Sequence, residues 1–363
     1  LGLLSSQALA EETKPDENPV KINGFVDTYY SLNLNMPGSR SNQLRNFDIY
    51  SNQFGLNAAQ LSIQKDGPVG FKTKLLFGST ADFIQTIDGK VDEISKNIQE
   101  AYGSVAIPIN GNDLMFNVGK FATHMGSEVI ETNANWNYSR SNLFAWAIPY
   151  THTGIRANYS LNKYIGFHAA VVNGWNRIVD NNDMKTFCGQ VMITPMDGLT
   201  LYENVIGGPE QADNNNDWRF VSDTILNWQI MPSWAVNLNF DYGMETVNKA
   251  NNTWMGFSGM TRYAITDNTA VALRGEWFND PDGLQTGTKQ QLTEGTLTLE
   301  YRPIEHLILR AEGRYDQSTA KVFDSAPNIT TTTKDAAGKD QTVTSPTKVL
   351  NQTTFLVGAV FEF

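Results

Sequence analysis

Apolar and polar residues alternate along most of this chain. Between residues 349 and 363 the odd positions read Val, Asn, Thr, Phe, Val, Ala, Phe, Phe, while the even ones include Gln352, Thr354, Gly358 and Glu362. A period of two predicts a strand, because successive side chains leave opposite faces of a pleated backbone. The first such stretch is residues 20–34, with Val20, Ile22, Val26 and Tyr30 on one parity and Lys21, Asn23, Asp27 and Ser31 on the other. Further stretches fall near 54–65, 69–77, 98–107, 114–118, 151–159, 164–173 and 184–194. The later half adds 199–206, 218–230, 234–245, 254–265, 269–279, 291–302 and 307–317. Several reach the about 9–11 residues of a tilted transmembrane strand, against about 5–6 in an ordinary one. The second stretch has no clear register around Ala58 and Ala59, and Glu203 breaks the pattern of its own.

Sixteen strands are thus expected, joined by seven short turns and eight longer connections in alternation. Short turns on one rim and long loops on the other are the pattern of outer-membrane barrels. A soluble sandwich has no reason to segregate its loops, and no repeat of propeller length is present. The expected fold is all-β, a transmembrane antiparallel up-and-down barrel of about 16 strands. The interior of such a barrel is too wide for side chains to fill, so water occupies it and the apolar face turns to lipid. Aromatics support that orientation. Trp228, Trp234, Tyr263, Tyr301 and Phe363 fall near the short-turn ends of their strands, and Tyr30, Tyr242, Trp277 and Tyr315 near the long-loop ends. Two aromatic levels suit two membrane interfaces.

Composition narrows the reading. Charged residues make up 18%, below the about 25% of a typical soluble domain, and no apolar run is long enough for a membrane helix. A net charge of −11 disfavours nucleic acid, whose phosphates need a basic surface. Residues 1–10 contain the small-x-small triplet Ala8-Leu9-Ala10 and read as the remnant of a secretory signal. Residues 11–19, acidic and holding two prolines, read as a flexible periplasmic leader, with the barrel over 20–363. Cys188 is the single cysteine, so no internal disulfide can form.

The strand charges belong in the lumen, because a lipid-facing Arg or Lys at the midplane costs about 2–4 kcal/mol. Lys72, Lys74, Arg274, Arg310 and Arg314 lie on that inner face, together with Asp27, Glu276, Glu300, Glu312 and Asp316. Most of them read as a wall stiffened by salt bridges. The connection over residues 122–148 carries Trp136, Tyr138, Phe144 and Trp146 with few charges. Such a loop can bury its aromatics by folding into the lumen, which would bring Glu128, Glu131 and Arg140 to the narrowest section, facing the basic wall. The competing arrangement is a loop packed outward over the rim. No nucleophile–base pair, HExxH helix or metal cluster emerges from the sequence, so neither an enzyme nor a cofactor is expected.

Several segments carry a family resemblance. Gln99-Glu100-Ala101-Tyr102, Gly119-Lys120-Phe121 and Gly126-Ser127-Glu128 are followed by Asn135-Trp136-Asn137-Tyr138-Ser139-Arg140-Ser141. Pro149-Tyr150-Thr151-His152-Thr153-Gly154 and Val172-Asn173-Gly174-Trp175 come next. In that order they resemble the β-barrel porin-2 family of bacterial outer-membrane proteins, although the Tyr or Phe usual near Ser127 is missing. The resemblance implies a passive pore in the bacterial outer membrane for small hydrophilic solutes or ions. The final Phe363 resembles the terminal aromatic that barrel-assembly machinery reads. A homotrimer is expected only by analogy with other sixteen-stranded porins. The alternatives are a surface adhesin or receptor, favoured by the long connection 318–348, and a sheath around another membrane component. Conductance separates the pore from both.

Overall fold

Sixteen strands close into one antiparallel barrel in the computed structural model, which describes residues 18–88, 95–334 and 340–363. The expected signal remnant, most of the leader and the hairpin tip expected at 335–338 lie outside the described residues. The wall begins with β1 (Lys21–Asn33), β2 (Gln53–Lys65), β3 (Val69–Phe77), β4 (Ile98–Ile109), β5 (Asn112–Ala122) and β6 (Thr151–Ser160). It continues through β7 (Ile165–Val172), β8 (Thr186–Met196), β9 (Leu199–Pro209), β10 (Trp218–Met231) and β11 (Trp234–Val247). β12 (Ala250–Thr266), β13 (Thr269–Asp280), β14 (Gln290–Tyr301), β15 (Leu307–Ser318) and β18 (Asn351–Glu362) complete it. β16 (Phe323–Lys334) and β17 (Asp340–Val349) pair only with each other, as a hairpin inside the expected long connection. β18 closes on β1 with Tyr30 opposite Val357, so the barrel leaves no open edge.

The strands are inside out relative to a soluble protein. β14 alternates buried and exposed residues at every position. Its Leu297 and Leu299 are 52% and 47% exposed, whereas Glu294 and Glu300 are 6% and 4% exposed. Exposing leucines while burying glutamates is stable only if hydrocarbon surrounds the wall. The aromatics keep the same sense. Trp228, Trp234, Tyr263, Tyr301 and Phe363 are exposed toward the short turns, and Tyr30 and Tyr315 toward the long loops.

Two connections differ from the sequence reading, and one strand irregularity is resolved. β11 and β12 run on until Asn248 and Lys249, at φ 52° and 67°, form a two-residue turn where a longer loop was expected. Two consecutive left-handed residues give a turn whose twist matches that of the flanking strands. The connection after β3, expected as a loop, contains the helix α1 (Ser79–Ile87), which buries Ala81 and Ile84. In β2 a bulge opposite Asp27 and Thr28 absorbs Asn57, which explains the unclear register near Ala58. No register slip occurs at Glu203, which pairs with Thr224 and faces outward. The hydroxyls of Ser222 and Thr224 each donate to its carboxylate at 2.7 Å, so the charge is solvated by the wall itself.

Candidate pore constriction

The segment between β5 and β6 does not stay on the rim. Its neck is closed by the Thr123 amide donating to the Tyr150 carbonyl at 2.9 Å. Gly126, at φ 87°, then turns the chain inward, where a Cβ would stand 2.3 Å from the Ile148 side chain. Beyond it the chain crosses the lumen against the opposite wall. The Tyr138 hydroxyl donates to Asp27 of β1 at 2.7 Å, and its ring packs on β18 where Gly358 leaves room. Phe47, Phe144 and Tyr150 meet in edge and tilted contacts, so Phe144 and Tyr138 are buried while Trp136 and Trp146 stay half-buried.

Loop backbone that leaves water must find partners, and wall side chains supply them. Glu312 accepts from the amides of Tyr138 and Ser139 at 2.7 and 3.0 Å, and Glu276 from those of Asn142 and Leu143 at 2.6 and 3.2 Å. Arg310 donates to the carbonyls of Thr132 and Asn135, both at 2.6 Å, and Arg314 to that of Arg140 at 2.6 Å. Arg274 donates to the Ser139 carbonyl at 2.7 Å and pairs with Glu128 at 2.9 Å and Glu294 at 2.6 Å. Arg140 turns back on its own loop, donating to the carbonyls of Val129 and Tyr138. Breaking one buried ion pair of this kind costs about 3–5 kcal/mol, so the loop is a fixed partition.

The expected site residues therefore separate into two groups. Arg274, Arg310 and Arg314 have side chains at most 1% exposed, and Glu128 is 3% exposed. These four, with Arg140, have buried side chains that seat the loop. Lys72, Lys74 and Glu131 remain 24%, 15% and 14% exposed. Lys74 joins Glu131 on the loop to Glu100 on β4, the latter at 2.9 Å, and Lys72 lies 3.5 Å from Glu100. Burial opposes ionisation of Glu131, but the Lys74 ammonium outweighs it and holds the carboxyl below the usual range. Two cavities, about 420 and 310 Å³, adjoin this group, and Lys72, Lys74, Val129 and Glu131 line both. Sequence reasoning placed Asp27, Glu276 and Glu312 on the inner face without finding their loop partners. Its only available signal was that carboxylates inside strands require donors.

A closed barrel with an apolar exterior, an ionised lumen and a loop folded across that lumen is the architecture of a general diffusion porin, integral to the bacterial outer membrane. The chain belongs to the family described as "Putative beta-barrel porin-2, OmpL-like", whose model matches residues 19–363. No curated protein matches the sequence. Among solved structures, an anion-selective porin from Comamonas acidovorans is similar at TM-score 0.64 with 10% identity, over 96% of this chain and 100% of that one. In-vitro folded OmpT of Vibrio cholerae is similar at TM-score 0.59 with 14% identity, over 98% and 100%. The outer-membrane channel DcaP of Acinetobacter baumannii is similar at TM-score 0.57 with 11% identity, over 95% and 97%. At these identities the likeness is one of fold.

Proposed function

We propose that small hydrophilic solutes and ions cross this porin through the gap among Lys72, Lys74, Val129 and Glu131. The reading rests on one observation: those four residues, two from the wall and two from the loop, line two adjoining cavities in common. Glu128, Arg140, Arg274, Arg310 and Arg314 act behind the gap by fixing the loop that carries Glu131. Purified protein in a planar bilayer is expected to give ohmic steps. Closed bilayers at all voltages would favour the adhesin or sheath reading instead.

Phe363 is assigned the assembly role. Its backbone exchanges hydrogen bonds with Gly24 at 3.0 and 3.1 Å, beside the seam between the first and last strands. Deleting it removes both the exposed terminal ring and those seam bonds. Strong depletion from the outer-membrane fraction is expected on immunoblotting, and wild-type levels would place the signal elsewhere.

The assembly in the membrane is assigned as a homotrimer. Glu203 supports it, as an exposed carboxylate on the outer wall beside a groove of about 510 Å³ that includes Ala157, Ala169 and Gly189. A charge there is better covered by a neighbouring copy than by acyl chains. A trimer form is described for the similar OmpT of Vibrio cholerae. Native mass spectrometry in detergent is expected to show trimers that Glu203→Lys converts to monomers. Monomers of the unaltered protein would remove this assignment.

A further inference from the structure

Three of the four histidines and the single cysteine converge beside the root of the inward loop. His124 follows β5 where the chain leaves the wall, His152 begins β6, His168 lies on β7 and Cys188 on β8. One ligand atom from each of His124, His152 and Cys188 lies within 4.8 Å of the other two. The His168 ring stacks on that of His124, with centroids 4.7 Å apart and planes 15° from parallel.

Hydrogen bonds orient the two ligating imidazoles. His152 Nδ1 stands 3.1 Å from the Gly174 carbonyl, which can only accept, so Nδ1 carries the proton and Nε2 holds a lone pair, which now accepts from the Thr123 hydroxyl at 3.1 Å and which a cation would take over from it. His124 Nε2 stands 3.3 Å from the Val205 carbonyl, and the Gly189 backbone is a second hydrogen-bond partner of the same ring. A backbone carbonyl on the far nitrogen is how metal-bound imidazoles are commonly held. Two imidazoles and one thiol are also the donor types that borderline-soft cations prefer to oxygen-seeking ones.

We infer that His124, His152 and Cys188 bind a borderline-soft divalent transition-metal cation such as Zn²⁺ on the lumen wall. Binding replaces the thiol proton: the S–H bond breaks, a metal–sulfur bond forms, and the proton leaves to lumen water. Three protein ligands leave one tetrahedral position, which water fills. Ligand bonds of about 2.0–2.3 Å require the three groups to close by about 1 Å from their present spacing. His124 can supply that movement, since it is a loop residue and only half-buried. It also lines the cavity of about 310 Å³ that includes Lys74 and Glu131, so the cation has a route in from the lumen. Arg156, another lining residue of that cavity, is the opposing charge, and the thiolate offsets it. Occupancy would tie the loop root to the β6–β8 wall.

The test uses the full-length protein in detergent, titrated with Co²⁺ as a spectroscopic probe and then with Zn²⁺. The expected result is a near-ultraviolet thiolate-to-cobalt charge-transfer band, saturating at one equivalent and lost on adding Zn²⁺. Cys188→Ser should abolish the band, and His124→Gln should weaken Co²⁺ binding at least several-fold, while His306→Gln leaves both unchanged. His124→Gln alters a half-buried loop residue outside the strands and keeps the barrel, which heat-dependent gel mobility verifies. Absence of the band in the unaltered protein, or Co²⁺ affinity indifferent to His124→Gln in a folded barrel, would overturn the inference.

Discussion

Excising residues 133–144 and joining the ends with a short glycine–serine link raises single-channel conductance several-fold. The removed segment is the part of the loop that crosses the lumen, from beside Glu131 to Phe144, and what stays beside it is the connection between β1 and β2, whose Arg45 pairs with Asp316 on the wall. The barrel itself does not depend on the removed segment. Every strand keeps its two ladder neighbours, and the closing pair β1–β18 is untouched. What changes is the solvation of the wall. Arg310 and Arg314 lose the Asn135 and Arg140 carbonyls, and Arg274 loses that of Ser139, but Glu300, Asp316 and Glu294 remain beside them. A charge stripped of partners in a dry core is strongly destabilising, whereas here water enters as the loop leaves. The variant is therefore expected to fold, to retain heat-dependent gel mobility, and to conduct more. Wild-type conductance in a folded variant would mean that ions follow another path and that the loop does not limit flow.

How much of this was legible beforehand depends on the range of the interactions involved. Strand parity is local, so the charged positions of β14 could be read from the chain, and Glu300 was assigned to its correct face. Loop lengths were local too, with one failure. Asn248 and Lys249 give a tight turn because the long flanking strands demand it, and their own sequence carries no Gly to announce it. The fate of the inner-face arginines was not local. Parity placed Arg274 and Arg314 inside, but only the landing point of Ser139 and Arg140, more than a hundred residues earlier, decides whether they meet water or backbone. The same holds for the histidines and Cys188, which four separate elements bring together. Glu203 was visible as a break in pattern, yet its answer lay across the sheet, in Ser222 and Thr224. Side-chain parity follows from the chain, and partners follow from the closure of the barrel.

Glu131→Gln is expected to shift the reversal potential toward anions in a salt gradient at neutral pH, with little change in conductance. Glu131 is the loop carboxylate left facing open space, in a narrow section where wall and loop displace most of the water, so its field is weakly screened. Lys72 and Lys74 oppose it from β3, with Glu100 between them, and removing one negative charge leaves the lysines in excess. Glu128→Gln should behave differently. Glu128 also accepts from the Ser141 amide at 2.8 Å, and it faces Arg274 and not the gap, so that variant loosens the loop and broadens conductance levels with little change in selectivity. The pH dependence supplies an independent check. Because Lys74 depresses the Glu131 carboxyl, its charge persists as acid is added, past the ordinary glutamate value of about 4.3. The unaltered porin should hold its reversal potential from neutral pH through that ordinary value. Below that it should move toward anions, in the direction that Glu131→Gln produces at neutral pH. An unaltered reversal potential in Glu131→Gln would show that this carboxylate does not face the permeating ion. A shift in the unaltered porin already near pH 6 would assign the selectivity to a group other than the Lys74-paired glutamate.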